Sequence, residues 1–462
     1  MKHVFGSTRE EDEQQRQARF VMMTESPVRQ LVMKMAVPTI ISMMVTALYN
    51  IIDAFFVGHI STEATAGVGV SFAYMTFINA FGFFFGHGSG NFISTALGAK
   101  KYDDAEKMAA TGFLSSMGLG IISAIIGLFF LTPLSRMMGA TPDIVPYSND
   151  YLVFILIGTP FMMSSLTLNN QLRLQGNARY AMFGITTGAV LNIFLDALFI
   201  YGFDMGVKGA SLATCISQMV GWLILLIGTE KGGNVHIRMR FFTPTLRSYI
   251  EIFKGGAPSL CRHVFVCIST IMLNRYAAYY AVSGTEASAI AAFAIVSRVM
   301  MFAFSIIIGI GQGFQPVCGF NYGAGLHERV RKSLIFTIEL STIILIIISI
   351  AFAIFAPDIV KLFRSEDAEL IQIGTRVLRW QCIAFPLIGV STAVNMMYQT
   401  TRKTLIATVL SMGRQGVFFI PTIMILPYFI GFQGVEMTQA IADACTFLLA
   451  LPFAIKEIKD NR

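Results

Sequence analysis

Val190-Leu-Asn-Ile-Phe-Leu-Asp-Ala-Leu-Phe-Ile-Tyr201 is apolar except at Asn192 and Asp196. A run of this kind is long enough to be buried in lipid. There a charge costs between about 2.5 and more than about 10 kcal/mol, and ionisable groups usually face a cavity and mark an ion or substrate path. Residues four apart share a helical face, so Asn192 and Asp196 can point at one spot. A second acid, Asp53, interrupts another apolar stretch, Tyr49-Asn-Ile-Ile-Asp-Ala-Phe-Phe-Val-Gly58. Two such carboxylates point to a transporter rather than to a passive membrane protein.

The rest of the chain fits that reading. It is 55% hydrophobic and only 13% charged over 462 residues, with a mean hydropathy of +0.65. Soluble chains carry about 25% charged residues, so this one has too little polar surface to be soluble. Apolar runs of about 20 residues recur along its length, the pattern of an all-α polytopic membrane protein. Twelve transmembrane spans are expected. The first six lie near 31–57, 64–95, 109–131, 149–170, 181–201 and 206–228. The second six lie near 257–281, 287–318, 333–355, 377–398, 405–429 and 435–454. Residues 1–25 read as a polar, disordered cytoplasmic tail with no secretory signal, and Ser26-Pro27 as the cap and first position of a helix. The domains expected are an N-lobe over 26–228, a cytoplasmic linker over 229–256, a C-lobe over 257–455 and a short tail over 456–462.

The net charge of +7 does not point to nucleic acid, because the basic residues fall between the apolar runs. Placing the N-terminus inside leaves only Arg136, Lys208, Lys361, Arg364, Arg376 and Arg379 in outside segments. By the positive-inside rule both termini are cytoplasmic. The six cysteines lie in or beside apolar runs and fit neither a disulfide framework nor a zinc site.

The two halves look like copies. Gly98-Ala-Lys100 aligns with Gly323-Ala-Gly325, Asn170 with Asn395, Pro160 with Pro386 and Pro38 with Pro258. The offset stays near 225 residues, an internal repeat. Each half has an even number of spans, so the repeats run parallel about an axis along the membrane normal. A transport path is then expected between them.

Depth gathers a candidate site in the first half. Spans 1 and 5 both run outward, which sets Asp53 and Asp196 at similar depth. Thr214, two turns into span 6, joins Asp53, Asn192 and Asp196 in that layer. Two carboxylates, an amide carbonyl and a hydroxyl suit a hard cation. Burial and a neighbouring carboxylate both disfavour the charged form, so the set suits a proton equally well. Tyr49 and Asn169 are secondary candidates for the site or its cavity. In the second half, Pro421 and Leu273 stand opposite Asp196 and Asp53, so the ion site belongs to one half only. Asp443, Arg275 and Arg298 are candidates for a substrate cleft. Glu339 and Arg414 are further charged residues in spans, and His59, His87 and His263 read as isolated. The 26 Met and 40 Phe suit a loosely specified lipophilic cavity and equally ordinary span filling.

The chain resembles the multidrug and toxic compound extrusion (MATE) family of cation-coupled antiporters over roughly residues 26–455. The resemblance rests on Tyr49 to Gly58, Gln175-Gly-Asn177, Asn192 to Asp196 and Gly209-Ala-Ser-Leu-Ala-Thr214. Ser411-Met-Gly-Arg-Gln-Gly-Val-Phe-Phe-Ile-Pro421 resembles the MepA-like branch. It implies two six-helix lobes around a V-shaped cleft, with coupling through Asp53, Asn192, Asp196 and Thr214. Other branches carry acids on spans 7 and 10, which this chain lacks. The expected activity is export of amphipathic organic cations in exchange for H+ or Na+ by a monomer in the cytoplasmic membrane, without cofactor or enzymatic chemistry. The alternative is a flippase for a lipid-linked saccharide, which would want a basic cavity for pyrophosphate.

Overall fold

Each apolar run of about 20 residues must satisfy its own backbone in lipid, and a helix does so internally. The computed structural model describes residues 9–58, 60–232, 235–282, 284–363 and 367–459. Among them every regular element is helical, and twelve helices are long and apolar enough to cross a membrane. Spans 1 to 6 are Val28–Gly58, Thr62–Gly98, Tyr102–Phe129, Val145–Leu174, Ala178–Gly202 and Gly206–Gly232. Spans 7 to 12 are Leu246–Tyr280, Glu286–Gly323, His327–Ile354, Ala368–Thr400, Thr404–Ile430 and Phe432–Lys459. The lipid-facing surface is apolar. Ile121, Ile122, Ile125 and Ile126 of span 3 and Ile343, Ile346, Ile347 and Ile350 of span 9 are all exposed.

The halves form two lobes that cross at their spans 1, 2, 7 and 8. Span 2 meets span 8 at paired glycines. A Cβ on Gly98 would lie 2.1 Å from the Phe320 carbonyl oxygen, and one on Gly323 would lie 2.1 Å from that of Thr95. These are the glycines that aligned between the repeats, and their lack of a side chain lets the backbones touch. Gly313 packs in the same way on Ala36 of span 1, and Gly88 on Ile252 of span 7. These contacts all use the first parts of spans 1 and 7 and the last parts of spans 2 and 8. The lobes therefore join at the end that carries the N-terminal helix and diverge from there, which makes the V.

A polar network ties this closed end. Arg173 of span 4 is 1% exposed. It donates to the Gln312 carbonyl at 2.7 Å and to Gln315 Oε1 at 3.3 Å, both on span 8, and to Asn170 Oδ1. His87 Nδ1 lies 2.8 Å from Ser259 Oγ, which also accepts from Gln399 Nε2 at 2.8 Å. Phe83 stacks between the rings of His87 and His263, at 5.4 and 5.3 Å. Those two histidines are thus not isolated. They meet because the lobe crossing joins spans far apart in sequence. His59 lies outside the described residues.

Three further expectations need correction. Residues 9–25 are not a disordered tail but a helix, Arg9–Glu25. It is held by Arg16 to Glu106 at 2.7 Å, and the buried Met23 carbonyl accepts from Asn321 Nδ2 at 3.1 Å. Residues 1–8 lie outside the described residues. The 229–256 linker is shorter than expected, because Thr245 Oγ1 accepts from Ser248 N and starts span 7 at Leu246. The first span begins at Val28, with the Pro27 carbonyl accepting from Leu31 N at 3.0 Å, one residue later than the Ser26 cap implied.

Candidate functional site

The site begins with how span 5 packs. Ala181, Gly184, Gly188, Asn192 and Asp196 are all buried, spaced three or four apart on one face, with Ala189 buried beside them. Small residues at that spacing let helices approach closely. A Cβ on Gly221 of span 6 would sit 3.0 Å from the Gly184 carbonyl, and one on Gly188 would sit 3.1 Å from that of Ser217. This approach carries Asn192 to Thr214. Asn192 Nδ2 lies 3.3 Å from Thr214 Oγ1 and 3.5 Å from Asp196 Oδ1. With the amide turned over, its nitrogen donates to Asp196 Oδ2 at 3.2 Å and its oxygen accepts from Thr214 N at 3.3 Å. In either orientation the amide bridges carboxylate and span 6. Asp196 is fully buried, and Asn192 and Thr214 are 2% and 4% exposed.

Asp53 joins the set from span 1, its half-buried carboxyl close enough to that of Asp196 for the two to interact. Asp53 Oδ1 is buried with no hydrogen-bond partner. Two neighbouring carboxylates repel unless a proton or a cation sits between them. The orphaned oxygen supplies a further acceptor for either. Tyr49 and Tyr151 both lie within electrostatic reach of the two acids. Tyr49 was expected there. Tyr151, 4% exposed on span 4, was not, and its only sequence signal is a phenol near the start of an apolar run. Immediately after Asp196 the helix widens to a π turn over Leu198–Gly202. Such turns often occur at functional sites.

The other candidates lie elsewhere. Asn169 donates to the Ala181 carbonyl at 2.8 Å. Ala181 stands fifteen residues before Asp196, about 22 Å along the helix, so Asn169 staples spans 4 and 5 away from the carboxylates. Asn395 makes the matching bond to the Ala407 carbonyl at 2.7 Å. The repeat therefore pairs Asn395 with Asn169 and not with Asn170, which instead accepts from Arg173. Asp443 is 2% exposed and engaged by Arg414 Nε at 2.7 Å and Gln439 Nε2 at 2.9 Å. Arg414 also lies over the Phe304 ring. Arg275, Arg298 and Glu339 are exposed on their helices. With Arg414 committed to Asp443, the three arginines do not form a free basic triad. Among the described residues no three His, Cys, Asp or Glu side chains cluster as metal ligands.

Comparison with known proteins identifies the family. The family model MatE matches residues 38–198 and again 265–425. The chain belongs to the MatE family. The two matched segments place the repeat within the family, 227 residues apart from start to start. Offsets of 225 to 227 residues put the counterpart of Asn192 within residues 417–419 and that of Asp196 within residues 421–423, the latter including the expected Pro421. Phe419, Ile423 and Ala442 form an apolar cluster with Leu273 packed on it. The stretch of span 11 that matches the polar site thus lies against an apolar cluster.

Within the MatE family the chain is of the MepA-like type. It is 27% identical to the multidrug export protein MepA of Staphylococcus haemolyticus over 427 residues, 92% of this chain and 93% of that one. It is 27% identical to MepA of Staphylococcus aureus strain MRSA252 over 431 residues, with the same coverage. A solved structure described as the outward-facing conformation of a multidrug resistance MATE family transporter superposes with a TM-score of 0.88. That pair is 25% identical, covering 95% of this chain and 97% of the other.

Proposed function

We propose that this MatE-family chain exports amphipathic organic cations in exchange for H+ or Na+, using Asp53, Asn192, Asp196 and Thr214 as the coupling site. The observation that carries this reading is the half-buried carboxyl of Asp53 beside the fully buried one of Asp196 in one half, with an apolar cluster along the matching stretch of span 11 in the other. The names of the MepA relatives support the substrate class. The distribution of Lys and Arg supports an orientation with both termini in the cytoplasm, so the V opens outward. We take the working unit to be the monomer.

In the proposed cycle the ion enters from the open side and settles between Asp53 and Asp196. Asn192 fixes the Asp196 carboxylate while Thr214 anchors the amide. Neutralising the pair removes the repulsion between spans 1 and 5 and lets span 1 repack against the N-lobe, favouring substrate release. After the lobes reorient, the ion leaves inward and the charged pair favours a cationic substrate again. One charge crossing 100 mV supplies about 2.3 kcal/mol, enough for a modest gradient.

The test is efflux of a fluorescent lipophilic cation in everted vesicles, driven by a sodium pulse or relieved by collapse of the pH gradient. Asp53→Asn and Asp196→Asn should each abolish coupled transport at normal expression. Full transport by both variants would overturn the site. The response to sodium against that to a protonophore identifies the ion.

A further inference from the structure

The side of span 5 that turns away from the coupling site carries a second feature. At its start, a cavity of about 480 Å³ opens between the N-terminal helix, span 1, span 5 and the end of span 6. Arg19, Lys34, Arg179 and Lys231 line it, with Asn177 and Tyr180. Among the described residues no carboxylate lines it. Lys34, Arg179 and Lys231 are exposed and Arg19 is half-buried. Four cations thus converge from four helices on one hollow.

A second hollow, of about 350 Å³, continues along the same helix. Its walls are Phe183, Thr186, Thr187, Val190, Leu191 and Phe194. The spacing from Arg179 through Tyr180, Phe183, Thr187 and Val190 to Phe194 keeps one helical face. From Arg179 to Phe194 that face rises about 22 Å, a length that suits an acyl chain within one leaflet. A basic hollow at a membrane surface, followed by an apolar groove running into the membrane, has the polarity and shape of one diacyl phospholipid.

We infer that this composite site binds an anionic phospholipid, its phosphate among Arg19, Lys34, Arg179 and Lys231 and one acyl chain along the Phe183–Phe194 groove. Basic pockets between spans on the cytoplasmic side commonly take acidic head groups, and on the orientation proposed above this hollow faces that leaflet. The site joins the N-terminal helix to span 5. A bound lipid therefore spans the back of the helix whose front carries Asn192 and Asp196.

The full chain in detergent micelles is titrated with phosphatidylglycerol and, separately, with phosphatidylcholine of identical acyl chains, and retained lipid is read by native mass spectrometry. Phosphatidylglycerol should be retained at least several-fold more strongly. Surface attraction near a membrane is worth about five-fold in affinity per cation, so Lys34→Gln/Arg179→Gln/Lys231→Gln should weaken retention roughly a hundredfold. The control Arg238→Gln/Arg240→Gln/Arg247→Gln removes as many charges from exposed positions on the same side and should leave it unchanged. Val190→Trp, which fills the groove and leaves every cation in place, should also weaken retention at least ten-fold. Glycerol phosphate, which has the head but no chain, should fail to displace the lipid at millimolar concentration. Equal retention of the two lipids, equal loss in both triple variants, or displacement by glycerol phosphate would each overturn the assignment. The single variant Arg179→Glu, at an exposed position, gives the same reading if the triple variant does not fold. None of these outcomes depends on transport, so the result stands apart from that of the vesicle assay.

Discussion

Asn192 holds the proposed coupling site together at the scale of single side chains. Its amide reaches both Asp196 and Thr214. Removing it leaves buried acceptors unpaired, at about 1–3 kcal/mol each. Asn192→Ala should therefore raise the ion concentration for half-maximal transport by about ten-fold or more, with expression unchanged. Thr214→Ser should stay close to the parent because the hydroxyl is kept. An unchanged ion dependence in Asn192→Ala would refute the bridging role. Asp443 belongs to a different physics. Its buried carboxylate is paired with the half-buried Arg414, and removing that partner leaves a buried charge uncompensated, at a cost of up to about 3–5 kcal/mol. Arg414→Met should lower the thermal midpoint sharply in detergent, and Arg414→Met/Asp443→Leu should recover most of the loss. A midpoint unmoved by the single variant would count against this assignment. Asp53, Asn192, Asp196 and Thr214 were legible in the sequence because polarity in an apolar run is itself the signal. Tyr151 and the true place of Asn169 were not, because both depend on which helix face meets which neighbour.

At the scale of helices, the crossing of spans 2 and 8 is set by backbone contact at Gly98 and Gly323. Any Cβ there must push the carbonyl beneath it. Gly98→Ala should lower the thermal midpoint, consistent with an overpacking cost of about 1–3 kcal/mol. Gly118→Ala on span 3, where nothing lies within 4 Å of the new carbon, should not. Similar behaviour of the two variants would show that the crossing tolerates separation. The repeat alignment picked out both glycines, yet nothing in the sequence said that they face each other's helix. The N-terminal helix shows the opposite case. Its sequence is polar enough to read as disordered, and what orders it is the Arg16–Glu106 bridge and the Asn321 bond to Met23, contacts with distant spans.

For the whole molecule, the closed end of the V is the part that must open in any alternating cycle. His87 and Ser259 sit across it, 2.8 Å apart between side-chain atoms. In a background with the six native cysteines replaced, His87→Cys/Ser259→Cys bridged by a short thiol cross-linker should stop efflux, and reductant should restore it. Efflux that continues with the bridge in place would mean that the lobes do not separate there.

Apolar periodicity alone determined the number of spans, the twofold repeat and the presence of costly oxygen ligands in one half, since lipid penalises every unpaired polar group locally. Tertiary structure alone decided that Asp53 comes beside Asp196, that Phe419 and Ile423 pack into an apolar cluster, and that Arg173 and His87 tie the halves together. Those outcomes depend on helix rotation and crossing, set by packing between segments far apart in the chain, and no local pattern of residues encodes them.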